Sequence, residues 1–353
     1  MARVARIGVA GAGLLGRLLA WRLGHAGHAV SVFDPADGPG PAWDGHGAAA
    51  FTAAGMLCPT AERERADASI AALGWRSIDL WQDIVQALAA PGLLRRHGSL
   101  LLAHRGDDGC ARRMLARCAG AGAGVAPQRL DAAGLAALEP ALHGAAHAWL
   151  LPGEAQIDPP ATLQRLFEAA ASSVRWHWRT PVARLARGAL CTEAGDALRF
   201  DLVFDVRGRG APMAGLRGVR GETVWLQAPA HGLVRPVRLL HPRQTVYLLP
   251  RGADRVFVGA SEIESEDRSP VSLRSAVELM AAAHSVMPAL AEARIERLDR
   301  NLRPALPDHL PRTDIQDGLV CINGLFRHGW LVAPALVEDA LAALGLQPEA
   351  THA

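Results

Sequence analysis

The chain has 353 residues, half of them apolar, enough for two domains or one large α/β unit with a sizeable core. A net charge of +2 with no Lys/Arg block gives no sign of a polyanion partner, so no nucleic-acid ligand is expected. Lysine does not occur, which excludes Schiff-base enzymes and P-loop ATPases, because both need that amine.

Residues 4–10, VARIGVA, read as a short buried strand. GAGLLG follows at Gly11–Gly16, then an amphipathic helix through RLLAWRLGHAG and a second strand, HAVSVFD, ending at Asp34. This is the start of a βαβ unit with G-x-G-x-x-G at its first turn and an acid eighteen residues beyond Gly16. Gly11 permits the tight turn, Gly13 lets a pyrophosphate approach the backbone, and Gly16 lets helix pack on strand. The free N–H groups at the helix start would face phosphates. Asp34 suits ribose hydroxyls and would repel a 2′-phosphate, so NADP is disfavoured. The motif alone leaves FAD and NAD open.

After Asp34 the chain becomes a loop rich in Gly, Pro and Ala, PADGPGPAWDGHGAAAFTAAGML. A nicotinamide enzyme would more often continue into a regular β-α unit; a long small-residue loop suits a cofactor with an extended body. Residues 68–90 read as helix, and 110–142 as mostly helical, with a short helix begun at Asp131. VRWHWRTPVARLA reads as one alternating strand, with Trp176 and Trp178 packing on one face, followed by a turn and ALRFDLVFDVRG. Residues 219–260 are spaced like strands of an antiparallel sheet. SPVSLRSAVELMAAAHSVMPAL reads as a serine-capped helix ending near Pro288, and ALVEDALAAL as the final helix.

The five cysteines, Cys58, Cys110, Cys118, Cys191 and Cys321, are odd in number and form no CxxC, so reduced thiols are expected. His143 and His147 have i,i+4 spacing without an HExxH carboxylate, and no metal site is expected. The opening residues show no small-residue cleavage pattern, and no apolar stretch reaches membrane-spanning length without a charge. A soluble, cytoplasmic protein is expected.

GAGLLG, TAAGML, GEAQIDPPATL, TPVARL, VRGE, YLLPR…VFVGASE, LRPALPDHLP and GLFRHGWLVAP occur in this order across nearly the whole chain. The ordered set resembles the FAD-dependent amine oxidases of the D-amino-acid oxidase type, most of all the thiamine-pathway glycine oxidases. The resemblance implies an α/β plus antiparallel β fold: a discontinuous Rossmann-type FAD-binding domain (1–85, 153–215 and 300–346) and a substrate domain (86–152 and 216–299). It implies oxidation of a small amino acid, glycine first, to its imine, with oxygen or another acceptor taking the electrons. Imine from glycine would feed thiazole synthesis. Rival readings are a sarcosine, D-proline or D-amino-acid oxidase or dehydrogenase of the same fold, an FAD-binding protein with little turnover, and an NAD dehydrogenase. A homo-oligomer is implied too, although no interface stripe is legible.

Carried onto this chain, the resemblance places Leu14 and Leu15 at the phosphate turn, Asp34 and Pro35 at the ribose, and Val182 at the adenine. Ala54, Gly55 and Met56 lie beside the flavin, and Leu325, Phe326, Arg327, His328, Gly329, Trp330 and Leu331 line its ring. Arg303 matches the arginine that grips substrate carboxylate with a planar fork of donors. Tyr247, the sole tyrosine, aligns with a hydroxyl that reaches the same carboxylate. Read from the residues alone, Arg303 could instead cap a loop against a surface carboxylate, and Tyr247 could be a core aromatic. Arg327 could pair with substrate or with a structural carboxylate. His328 reads as a loop residue rather than a base. Ala49 and Ala50 replace hydroxyl residues usual in the family, Leu325 replaces a histidine, and Thr313 and Asp314 replace an apolar–Gly pair.

Overall fold

The strand Arg6–Ala10 buries four of its five residues, as a strand covered on both faces must. In the computed structural model, which describes residues 4–118, 126–240 and 245–346, it lies inside a six-stranded sheet. The order is Arg312–Gln316, Leu319–Asn323, Leu202–Asp205, Arg6–Ala10, Ala29–Phe33 and Val174–His177. All neighbours are parallel except the first pair. One large apolar core joins this sheet to the helices Leu14–His25, Ala68–Ala87, Pro159–Ala170 and Gly329–Ala343.

The second sheet has eight strands: Arg294–Ala305, Arg217–Gln227, Arg255–Gly259, Val246–Arg251, Val237–Leu240, Ser99–Ala103, His147–Leu151 and Gln128–Leu130. It is antiparallel at every pairing but that of Val237–Leu240 with Ser99–Ala103. Its register aligns Asp299, Thr223, Gly259, Tyr247 and Arg238 in one cross-strand row. The helix Leu273–Val286 packs on this sheet through Leu279, Ala283 and Val286. Ser272 caps it by accepting from Ser275 N at 3.1 Å, and Asp131 caps Ala132–Leu138 by accepting from Gly134 N at 2.7 Å.

Three local readings change. VRWHWRTPVARLA is two strands: Val174–His177 edges the parallel sheet, and Val182–Ala186 opens a three-stranded antiparallel sheet. The break falls between them, where Arg179 takes φ +54° and Pro181 lacks an N–H. Trp176 and Trp178 still share a face, their rings stacked 5.6 Å apart. Between the helices Asp108–Cys118 and Ala132–Leu138 lies the strand Gln128–Leu130; residues 119–125 of the expected helical stretch lie outside the described residues. The last helix begins at Gly329, well before Ala335, and contains Pro334. Pro334 cannot donate to the carbonyl of Trp330 four residues back, but Trp81 Nε1 donates to that oxygen at 2.9 Å. The indole therefore replaces the missing helical hydrogen bond.

Candidate active site

Between the two large sheets runs a cleft of about 1290 Å³, above the ~300–1,000 Å³ usual for a small-molecule site. One end is the Gly11–Gly16 turn. Gly11 has φ +107°, and a Cβ there would meet the carbonyl oxygen of Val206 at 2.7 Å. A Cβ on Gly16 would lie 1.8 Å from the carbonyl oxygen of Gly11, so helix and strand touch as the motif requires. Gly13 is different: the nearest atom to its missing Cβ is Ala48 Cβ at 3.6 Å, and this side opens to the cleft. The helix starting at Leu14 has no side-chain cap and no acid in its first turn, so its N–H groups are free for an anion. Asp34 accepts from Ala12 N at 2.6 Å and from Ala36 N at 2.9 Å; it braces the turn while facing the cleft with Pro35.

Every other proposed cofactor residue lines the same cleft except Gly16, which acts behind the turn: Leu14, Leu15, Ala54, Gly55, Met56, Val182 and Leu325–Leu331. The Val182 carbonyl accepts from Arg207 Nη1 at 2.6 Å, which leaves that oxygen engaged. Gly55 sits at φ +66°, and a Cβ would be 2.2 Å from the Ile157 carbonyl oxygen. At the alanine replacements, the Ala50 carbonyl accepts from Trp330 Nε1 at 3.0 Å and the Ala49 carbonyl from Thr52 Oγ1 at 3.1 Å.

The other end of the cleft is built on the eight-stranded sheet. Arg303 is held by the carbonyls of Ser261 at 3.1 Å and Arg220 at 3.4 Å and, among the described residues, by no carboxylate. Its guanidinium lies across Gly221, where a Cβ would come within 2.3 Å of Nη2. Tyr247 folds over Gly259 in the same way; a Cβ there would meet Cε2 at 2.6 Å and the hydroxyl at 3.1 Å. Burial pushes the Tyr247 hydroxyl above the usual tyrosine range, with Arg303 pulling the other way, so it stays a neutral donor. Thr223, paired with Gly259 and two residues beyond Gly221, has a buried hydroxyl with no partner among the described residues.

Arg327 also lines this end, but its charge is met. Nη2 lies 3.1 Å from Glu62 and Nη1 3.4 Å from Glu262. Glu62 also holds Arg238 Nη2 at 3.0 Å and His328 Nδ1 at 3.2 Å. Burial raises the Glu62 carboxyl, but Arg327, His328 and Arg238 outweigh it and hold the group well below the usual carboxylate range. His328, buried against this carboxylate, is part of the cluster rather than a free base.

The sequence pattern of the family described as FAD dependent oxidoreductase matches residues 6–342. The chain belongs to this family. A protein of Rhizobium etli named as a thiamine biosynthesis oxidoreductase, ThiO, is 37% identical over 342 residues, 96% of each chain. The glycine oxidase structure from Geobacillus kaustophilus superposes with TM-score 0.83 at 23% identity, covering 98% of this chain and 96% of that one. An iminodiacetate oxidase from Chelativorans gives TM-score 0.79 at 25% identity, over 98% and 96%. The mixed parallel and antiparallel architecture is that of the family, and the enzyme is an FAD-dependent oxidoreductase. Its five cysteines are all free thiols.

This oxidoreductase fits its cofactor through backbone. Gly13 leaves an open approach to the bare helix start, and a Cβ at Gly11, Gly16 or Gly55 would collide with backbone. Sequence reasoning missed Glu62, Arg238, Gly221, Gly259 and Thr223. Glu62 and Arg238 are 176 residues apart and carry no local pattern. The two glycines stood inside the quoted phrases VRGE and VFVGASE, where a strand glycine signals close approach by another group.

No helix among the described residues is long and apolar enough to cross a membrane.

Proposed function

We propose that this FAD-dependent oxidoreductase oxidises glycine to its imine, which water hydrolyses to glyoxylate, and that oxygen takes the two electrons as peroxide. The observation that carries the reading is Arg303: a guanidinium facing the cleft beside Tyr247 with no carboxylate of its own among the described residues. Its fork binds the substrate carboxylate bidentately and fixes the direction of Cα. Tyr247, held neutral, donates its hydroxyl to the same carboxylate. Gly221 and Gly259 make room for these two side chains. Arg327 stays paired with Glu62 and Glu262 instead of gripping substrate. Bound FAD supplies the hydride acceptor.

In this reading Gly11, Gly13, Leu14, Leu15 and Gly16 hold the diphosphate, Asp34 and Pro35 the ribose, and Val182 the adenine side. Ala54–Met56 and Leu325–Leu331 flank the flavin ring. Segments 1–85, 153–215 and 306–346 form the cofactor domain, and 86–152 and 216–305 the substrate domain; the boundary moves from 300 because the strand Arg294–Ala305, with Arg303, runs whole in the eight-stranded sheet. The name of the Rhizobium etli relative supports a role in thiamine biosynthesis; in this reading the enzyme works in the cytoplasm and its product, glycine imine, is what thiazole assembly takes up. The test is anaerobic mixing of the yellow holoenzyme with glycine. The visible flavin band should bleach, and peroxide should form when air is readmitted. Bleaching by sarcosine or a D-amino acid but not glycine would reassign the substrate; no bleaching by any amine would overturn the reading.

A further inference from the structure

Arg251 is a buried guanidinium outside the site described above. It donates to the carbonyl of Ala54, to Gln156 Oε1 at 3.3 Å and to the Pro250 carbonyl at 3.0 Å, while its Nε has no partner. Among the described residues no carboxylate is in contact with it. The group that opposes its desolvation is Asp158, whose own carboxylate caps the helix Pro159–Ala170 by accepting from Ala161 N at 3.1 Å. Burial accordingly pushes the guanidinium down to about 10, with Asp158 pulling the other way. A fixed, poorly neutralised cation in the interior is costly and acts over a longer range than one in water.

Its contact with Ala54 gives this charge a direction. A trans peptide points its C=O and the following N–H opposite ways, so tying back the Ala54 oxygen turns the Gly55 N–H away from Arg251. Gly55 is pinned on its other side by Ile157 N, which donates to its carbonyl at 2.8 Å, and the packing behind it admits no side chain. Gly55 lines the cleft, and its N–H has no acceptor among the described residues. Arg251 itself does not line the cleft, so it acts through the peptide and its field.

We infer that Arg251 is a positioning residue for the cofactor: it holds the Ala54–Gly55 peptide with its N–H presented to bound FAD, and its positive field favours the reduced form. The inference rests on the assignment of the cleft to FAD. A hydrogen bond to the carbonyl polarises the same amide, so its N–H becomes a better donor. Reduction brings electrons to the cofactor, and a preorganised positive pole stabilises them without rearrangement.

The test measures the midpoint potential of bound FAD and its dissociation constant in the holoenzyme and in Arg251→Met, Arg251→Gln and Arg251→Lys. Loss of the charge should shift the reduction equilibrium about tenfold toward the oxidised form, about 30 mV for a two-electron couple. Arg251→Lys, which keeps the charge, should recover most of that shift. A purely structural tie would lower Tm and leave the potential in place; a folded Met or Gln variant with the wild-type potential overturns the inference, as does loss of the fold in both. Gly13→Asp separates the two levels. If it binds FAD normally, the cleft assignment fails; if it loses FAD while Arg251→Met keeps its potential, only the role of Arg251 fails.

Discussion

Arg327 Nη2 lies 3.1 Å from Glu62 Oε2, and the same oxygen lies 3.2 Å from His328 Nδ1. The two arginines at this end of the cleft, Arg327 and Arg303, are therefore not equivalent. Arg327 is neutralised inside the protein, whereas Arg303 has only neutral partners among the described residues, two carbonyls and the Tyr247 hydroxyl.

Arg303→Ala should raise KM for carboxylate substrates about 100-fold, the scale of losing a charge-assisted bidentate contact. The flavin spectrum should be unchanged. Steady-state kinetics on glycine check this, and an unaltered KM would remove Arg303 from the site.

Arg327→Ala should instead act on stability. Breaking a fully buried pair costs about 3–5 kcal/mol, but Arg238 continues to pair with Glu62, so about 1–3 kcal/mol is expected here. Thermal melts of the holoenzyme should show it, with KM moving far less than in Arg303→Ala.

Gly221→Ala would place a Cβ 2.3 Å from Arg303 Nη2. The guanidinium must move, and a displacement of that order should cost about 10–100-fold in kcat/KM. FAD affinity should hold, since Gly221 lies on the eight-stranded sheet and the phosphate turn follows a strand of the six-stranded one. Gly16→Ala should do the reverse: a Cβ 1.8 Å from the Gly11 carbonyl oxygen opens the turn, and titration of apoprotein should show loss of FAD binding.

The Glu62 carboxyl, pushed up by burial but held down more strongly by Arg327, His328 and Arg238, gives a pH signature. A group depressed in the fold and near its ordinary value of about 4.3 in the unfolded chain adds stability above that pH. The contribution is lost as pH falls through the lowered value. Tm should therefore drop below about pH 4, and Glu62→Gln should flatten that acid limb while lowering Tm at pH 7. An identical acid limb in the variant would show that Glu62 contributes nothing to it.

Much of this was legible in the residues. The phosphate turn is local, so G-x-G-x-x-G between strand and helix announces its own geometry. The spacing of the strand-like runs in residues 219–260 announced the antiparallel sheet, and the resemblance supplied Arg303 and Tyr247 as candidates. The Glu62 cluster was not legible, because Glu62, Arg238 and Arg327 meet only after both sheets have formed. Arg327 stood open between substrate and structural partner, and only its distance to Glu62 gave the second. The early start of the last helix was hidden for a related reason: Pro334 reads as a helix breaker unless the distant Trp81 is known to supply the missing donor.

That indole has a practical corollary. Trp81 stacks on Trp330 at 5.4 Å, and Trp330 in turn donates to the Ala50 carbonyl at the edge of the cleft. The two rings link a core helix to the small-residue loop, so a shift of that loop at Ala50 moves the hydrogen-bond partner of the Trp330 indole. Tryptophan emission should therefore change as apoprotein takes up FAD, before any turnover, and a fluorescence titration checks it.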